Sequence, residues 1–241
     1  MNTSVSTGVN VKGNSGFVPV IAIDGPSASG KGTVASLVAR QLGFHYLDSG
    51  ALYRLTALAA ERQGVSWHDE MALAALAERL SVRFEANAVW LDGEQVDDVL
   101  RSENTGAGAS CVAQYPAVRA ALLARQRAFR RAPGLVADGR DMASVVFPDA
   151  SLKIFLTASP EIRAERRYKQ LMEKGMDVKI DNLLLELTRQ MAERDARDAA
   201  RAVAPLVREQ SAELLDTSAM TIQMAVDWIL ARWEHLQQKQ I

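Results

Sequence analysis

Cysteine is nearly absent from this chain: Cys111 is the only one in 241 residues, so no intrachain disulfide can form. A reducing compartment is consistent with that, and the cytoplasm is the expected location. Cys111 reads as a small apolar packing residue rather than a nucleophile. Histidine is also scarce. His45, His68 and His235 are far apart and lack metal-ligand spacing, so each reads as a surface or packing residue. No apolar run reaches membrane-spanning length. Residues 1–16 lack the basic start and apolar stretch of a secretion signal. No membrane contact is expected, and 1–16 read as a mobile tail. An excess of charge of one sign is lacking too. With 28 Lys and Arg against 29 Asp and Glu, the net charge is −1, which argues against a nucleic-acid-binding surface. An anionic ligand would have to meet arginines concentrated locally.

What is present is a globular composition, 48% apolar and 24% charged, long enough to bury one large core or two small ones. The most informative segment is Gly25-Pro26-Ser27-Ala28-Ser29-Gly30-Lys31-Gly32-Thr33. It follows an apolar run, 18–24, that reads as a buried strand, and it opens onto 34–42, which reads as a helix. In that context Gly-x4-Gly-Lys is a phosphate-binding loop rather than an ordinary glycine turn. Glycines let the backbone wrap closely, so N–H groups converge on phosphate oxygens. The helix N-terminus adds partial positive charge and Lys31 a full one. The residue after Lys31 is Gly32, and the hydroxyl comes one later, at Thr33. Magnesium is therefore expected to be held by Thr33 partly through water.

Strand and helix patterns then alternate. Phe44 to Leu47, Gly134 to Asp138, Leu152 to Leu156 and Leu214 to Asp216 read as strands. Ala51 to Gln63, Met71 to Leu80, a segment from about Asn104, Pro116 to Arg131, Glu161 to Gly175, Ile180 to Asp198 and Thr221 to Gln238 read as helices. This alternation predicts an α/β fold, a parallel sheet covered by helices on both faces. Between 81 and 96, two strand-like runs and the turn Asp92-Gly93 predict a small β-rich insertion. In parallel sheets ligands sit beyond the carboxyl ends of the strands. Gly25, Asp48, Asp138 and Thr157 all lie at or just past such ends.

Three further groups bear on chemistry. Asp138-Gly139-Arg140-Asp141 follows its strand directly; it reads equally as a crevice-facing charge pair or as a turn with a surface salt bridge. Arg194, Arg197, Asp198 and Arg201 share one side of a helix at i, i+3, i+4 and i+7, a pattern that solvated helices also carry. Arg163, Arg166 and Arg167 form a third group with the same bland alternative. Beside a phosphate-binding loop they gain weight together, because phosphoryl transfer between two anions needs arginines and Mg²⁺ to neutralise the moving charge. No Ser/His/Asp arrangement stands out. An acceptor that is itself a phosphate needs no general base, since its second pKa is about 6.

Taken together, these residues resemble the bacterial cytidylate kinase family, nucleoside monophosphate kinases of the P-loop class. The resemblance runs from about Val18 onward. It rests on Ile23 to Ser27, Gly30 to Thr33, Leu47 to Ala51, Tyr53-Arg54, Ala137 to Met142, Val145 to Pro148 and Arg201 to Leu206. It implies a kinase domain over 17–241, with an acceptor-binding insertion at about 66–112 and a helical lid at about 159–178. It implies that Gly25 to Thr33 hold ATP phosphates, with Arg163 and Arg167 over ATP in the lid, and that Lys31, Arg54 and Arg140 act in the transfer. Ser49, Arg119 and Asp141 would read cytosine. Arg54 and Arg140 would hold the acceptor phosphate. Ser110, Arg194 and Asp198 would meet the sugar. Arg201 would face the acceptor at base or phosphate. The implied substrates are ATP, with Mg²⁺, and CMP or dCMP, acting on a monomer. A carboxylate at Asp141 suits the N4 amine of cytosine, a donor, where uracil carries an acceptor.

A kinase for UMP or another monophosphate stays open at this point, as does a small-metabolite kinase on the same loop. A GTP switch should carry Asn-Lys-x-Asp for guanine, and no such run occurs.

Overall fold

The computed structural model describes residues 17–85, 88–172, 180–201 and 203–239. The expected tail at 1–16, positions 173–178 of the expected lid, and Ala202 lie outside the described residues. The elements in chain order are β1 (Val20–Asp24), α1 (Lys31–Leu42), β2 (His45–Asp48), α2 (Ser49–Arg62), α3 (Glu70–Arg79), β3 (Val82–Glu85), β4 (Ala88–Leu91), β5 (Glu94–Gln95), α4 (Asp97–Leu100), α5 (Glu103–Val112), α6 (Pro116–Arg127) and β6 (Leu135–Gly139). A π-helical turn, Met142–Val146, follows. Then come β7 (Leu152–Thr157), α7 (Pro160–Met172), α8 (Ile180–Ala199), β8 (Glu213–Asp216) and α9 (Ile222–Gln238).

Five strands form a sheet in the order β2-β6-β1-β7-β8, and every pairing is parallel. The alternation of side chains explains why helices must cover both faces. Val20 and Ala22 of β1 join Leu135 and Ala137 of β6 in one core, beneath α2, α3, α5 and α6. Ile21 and Ile23 join Val136, Ile154 and Leu156 in the other, where α1 and α9 contribute Val34, Val38, Val226, Ile229 and Trp233. A separate antiparallel sheet, β3-β4-β5, follows α3 and carries its turn at Asp92 and Gly93, both with positive φ. Among the described residues no helix is long and apolar enough to cross a membrane.

The central strand β1 delivers the chain to the phosphate loop. Its neighbours β6 and β7 end alongside, with Asp24 paired to Gly139 on one side and to Phe155 on the other. Three sequence-distant loops therefore open at one edge of the sheet.

Candidate active site

Gly25 passes so close to β7 that a Cβ there would collide with the Leu156 carbonyl oxygen. Ala28 and Gly30 adopt φ of 55° and 92°, which turns the loop back before α1 begins at Lys31. Among the described residues no side chain caps this helix, which leaves its first N–H groups for a ligand. Two guanidinium groups from α7 hold the loop's carbonyls. Arg163 donates to Ser27 O at 3.2 Å, and Arg166 donates to Ser29 O at 2.8 Å. The C=O and N–H of a trans peptide point opposite ways, so the Ala28 and Gly30 N–H groups are turned away from α7. Lys31 donates to Pro26 O at 3.2 Å. Burial first, then nearby Arg140, pushes its ammonium well below the usual lysine range.

Across from the loop, the turn after β6 is built by a buried carboxylate. Asp24 accepts from the backbone N–H groups of Met142 and Ala143, both at 2.8 Å, and so caps the π-helical turn from a neighbouring strand. Burial pushes its pKa up to about 6 despite these bonds. Asp141, at the start of that turn, is ion-paired with Arg119 of α6, and Arg119 also donates to Ala113 O at 3.1 Å. Gly139 lets β6 approach α2: a Cβ there would fall 2.5 Å from the Ser49 hydroxyl. Asp198 of α8 is 1% exposed and receives two arginines, Arg140 Nε at 2.9 Å and Arg201. Arg54 of α2 donates to the carbonyls of Leu100 and Ser102 at 2.9 and 3.3 Å.

Between the loop and this turn lies one cleft of about 400 Å³. Ser27, Ala28, Gly30, Lys31, Gly32 and Thr33 face it from the loop. Ser49, Arg54, Ser110, Arg119, Arg140, Asp141, Arg194, Asp198 and Arg201 face it from the other side, and Arg167 reaches it from α7. Gly25, Pro26, Ser29 and Arg163 are not on its wall; the first three shape the loop, and Arg163 is engaged with Ser27 O, Ala158 O and Asp195. Arg167 pairs with Glu103 of α5, so the cleft is bridged between the two elements. Among the described residues, two polar atoms on the acceptor side, Ser110 Oγ and Arg194 Nε, are buried without a hydrogen-bond partner. A buried donor left in this state is a place where a ligand's hydroxyls or phosphate oxygens gain most. Burial, and then Arg140, also pushes the Arg194 guanidinium down to about 10, so added negative charge there is favourable.

The sequence reading placed Asp48 and Asp138 at strand ends but gave neither a role. Asp48 and Asp138 are register partners on β2 and β6, so two carboxylates stand side by side beside the loop. Burial, and then the Asp48 charge, holds the Asp138 carboxyl above its usual range. Tyr46 donates to Asp138 at 2.6 Å, and Asp138 lies 3.3 Å from where a Cβ on Gly32 would be. The signal was available in the strand-end positions of both aspartates. Nothing local marked Asp24 or Asp195.

The family model described as Cytidylate kinase matches residues 21–235. The cytidylate kinase of Chromobacterium violaceum is 60% identical over 220 residues, spanning 91% of this chain and 97% of that protein. That of Bordetella bronchiseptica is 57% identical over 223 residues, spanning 92% and 98%. Among solved structures, a shikimate kinase from Acinetobacter baumannii overlaps 93% of this chain and 96% of its own, at 15% identity and a TM-score of 0.41. With a family match over most of its length and relatives at this level of identity, the chain belongs to the cytidylate kinase family.

Proposed function

We propose that this chain transfers the γ-phosphoryl group of ATP to CMP, yielding ADP and CDP, and accepts dCMP as well. The observation that carries this reading is the shared cleft: the phosphate loop, a cluster of arginines and the buried Asp141 carboxylate line one cavity of about 400 Å³.

On this reading, the N–H groups of Ala28 to Thr33 and the Lys31 ammonium hold the β- and γ-phosphates of ATP. Arg54 and Arg140 hold the acceptor phosphate, which is mostly a dianion at neutral pH and attacks without a general base. Lys31, Arg54 and Arg140 stabilise the charge that spreads over the moving phosphoryl group. Ser49, Arg119 and Asp141 read cytosine. Ser110, Arg194 and Asp198 meet the sugar, an assignment supported by the two partnerless buried atoms, Ser110 Oγ and Arg194 Nε. Arg201, paired to Asp198, faces the acceptor. Arg167, on the wall, closes over ATP, while Arg163 acts on the donor side through the loop.

The residues present fit Mg²⁺. Thr33, Asp48 and Asp138 line the same cleft, and the Asp138 carboxylate lies 3.3 Å from where a Cβ on Gly32 would be. Thr33 would hold the ion directly or through water, and Asp138 would do so through water. When bound with ATP, the ion neutralises phosphate charge.

An ADP-release assay with CMP, dCMP, UMP, AMP, GMP and shikimate as acceptors tests the reading. CMP and dCMP should give the highest kcat/KM. Equal turnover with UMP or with shikimate would overturn it.

A further inference from the structure

Asp195 lies off the cleft wall, yet it joins three sequence-distant segments. It accepts from the Ser27 hydroxyl at 3.1 Å and from the Ser27 backbone N–H at 3.4 Å, across a separation of 168 residues. Its other oxygen accepts from Arg163 at 2.5 Å. Arg163 in turn donates to Ser27 O and Ala158 O, at 3.2 and 3.1 Å. The phosphate loop, the junction of β7 with α7, and α8 therefore meet around one carboxylate. The Arg163 and Asp195 side chains are only 8% and 20% exposed, so the pair is not a loose surface contact.

We propose that Asp195 is a positioning residue for phosphoryl transfer, fixing the register between the phosphate loop and the helix that carries Arg194 and Asp198. This rests on the reading of the cleft given above. Arg194 is adjacent to Asp195 in α8 and Asp198 follows one turn later, and both line the cleft. A slide or rotation of α8 against the loop would change the distance between acceptor and γ-phosphate. The two substrates would each keep most of their contacts. The loop donors from Ala28 to Thr33 lie off α8, and so do Ser49, Arg54, Ser110, Arg119 and Asp141, while Arg140 is tied to α8 through Asp198. In-line transfer needs reacting atoms within about 3–3.5 Å, and a misplacement of about 1 Å costs on the order of 10²-fold. Removing Asp195 should therefore lower kcat far more than it weakens either substrate alone.

The test compares the parent chain with Asp195→Ala and Asp195→Asn. It reads kcat at saturating ATP and CMP, and the Kd of each substrate alone by calorimetry. For Asp195→Ala, kcat should fall by about 10- to 100-fold while each Kd moves less than about threefold. Asp195→Asn keeps the volume and one acceptor oxygen, so its fall should be smaller but in the same direction. If Asp195→Ala does not fold, because Arg163 is left buried without a counter-charge, the Asn variant decides the matter. A kcat within about threefold of the parent in every folded variant overturns the proposal. So does a kcat loss matched by an equal loss of CMP or ATP affinity. A parent chain that makes no CDP refutes the reading of the cleft itself; an active parent with equally active variants refutes only the role of Asp195.

Discussion

Replacing Asp141 by asparagine should shift base choice from CMP toward UMP, and the geometry around it gives the size of the effect. Arg119 grips Oδ2 of Asp141, and the guanidinium is held from behind by Ala113 O at 3.1 Å and lies 5.6 Å from the centre of the Tyr53 ring. Both partners are buried, at 8% and 5% side-chain exposure. Oδ1 is the oxygen left for a base. With CMP it would accept from N4, a charge-assisted bond worth about 1.5–3 kcal/mol, or roughly 10- to 160-fold. In Asp141→Asn, Arg119 selects the amide oxygen, so the NH₂ group turns toward the base. That group faces another donor on cytosine but an acceptor, O4, on uracil, where it gains about 0.5–1.5 kcal/mol. Together the changes should lower the CMP/UMP ratio of kcat/KM on the order of 10² to 10³-fold. The assay is ADP release with each nucleotide, run on enzyme whose melting shows that the weakened Arg119 pair has not unfolded it. A ratio that stays within about threefold of the parent would refute direct readout by Asp141 and leave Ser49 and Arg119 to read the base.

Lys31→Ala should lower kcat on the order of 10³-fold while CMP alone binds with nearly unchanged affinity by calorimetry, because Lys31 acts on the donor phosphates. A collapse of CMP binding would contradict that division of labour. Ser110→Ala should cost CMP roughly 2- to 10-fold in kcat/KM and cost dCMP less, since the partnerless Ser110 Oγ is assigned to a ribose hydroxyl; equal losses would remove Ser110 from sugar recognition. Asp24 provides a pH test with a definite sign. Its carboxyl titrates near 3.8 unfolded and at about 6 folded, because of burial, so the folded state binds more protons between those values. Its contribution to stability is therefore greatest below pH 4 and is lost as pH rises through 6, by roughly 3 kcal/mol in the limit. Urea titrations at pH 4 and 6.5 should show the parent losing stability relative to Asp24→Asn over that interval; a difference that does not change with pH would refute it.

The phosphate loop was legible because its information is local: glycine spacing, one lysine, a strand before and a helix after. The alternation of strands and helices was legible for the same reason, and the sheet is parallel with both faces covered. Arginines were a different matter. Arg163, Arg166 and Arg167 look alike in the sequence and sit within two turns of α7. Arg163 holds Ser27 O, Arg166 holds Ser29 O and both the carbonyl and hydroxyl of Thr217, and only Arg167 faces the cleft. Helical spacing fixes a side, not a destination. The same ambiguity covered Asp198, which spacing alone could not separate from a solvated ion pair; packing puts it at 1% exposure between Arg140 and Arg201. The π-helical turn at Met142–Val146 was invisible because the carboxylate that accepts its first N–H groups, Asp24, is 118 residues away.

The pairing pattern also bears on a point the sequence left open, the division of work among the acceptor-side arginines. The protein partner of each guanidinium decides how much of its charge remains for a substrate. A carbonyl leaves the charge intact, whereas a carboxylate largely cancels it. Arg54 is held by the carbonyls of Leu100 and Ser102, and Arg119 by the carboxylate of Asp141. Arg140 and Arg201 share the single carboxylate of Asp198, which leaves one positive charge between them. Arg194 stands beside this group with its Nε partnerless. The uncompensated charge therefore gathers at Arg54, Arg194 and the Arg140–Arg201 pair, and it is weakest at Arg119. On the proposed reading, a phosphate dianion gains most where charge is unspent, and a neutral base suits a place where Arg119 and Asp141 already offset each other. Arg140 and Arg201 therefore act on the cleft as one unit joined through Asp198, apart from the offset pair of Arg119 and Asp141.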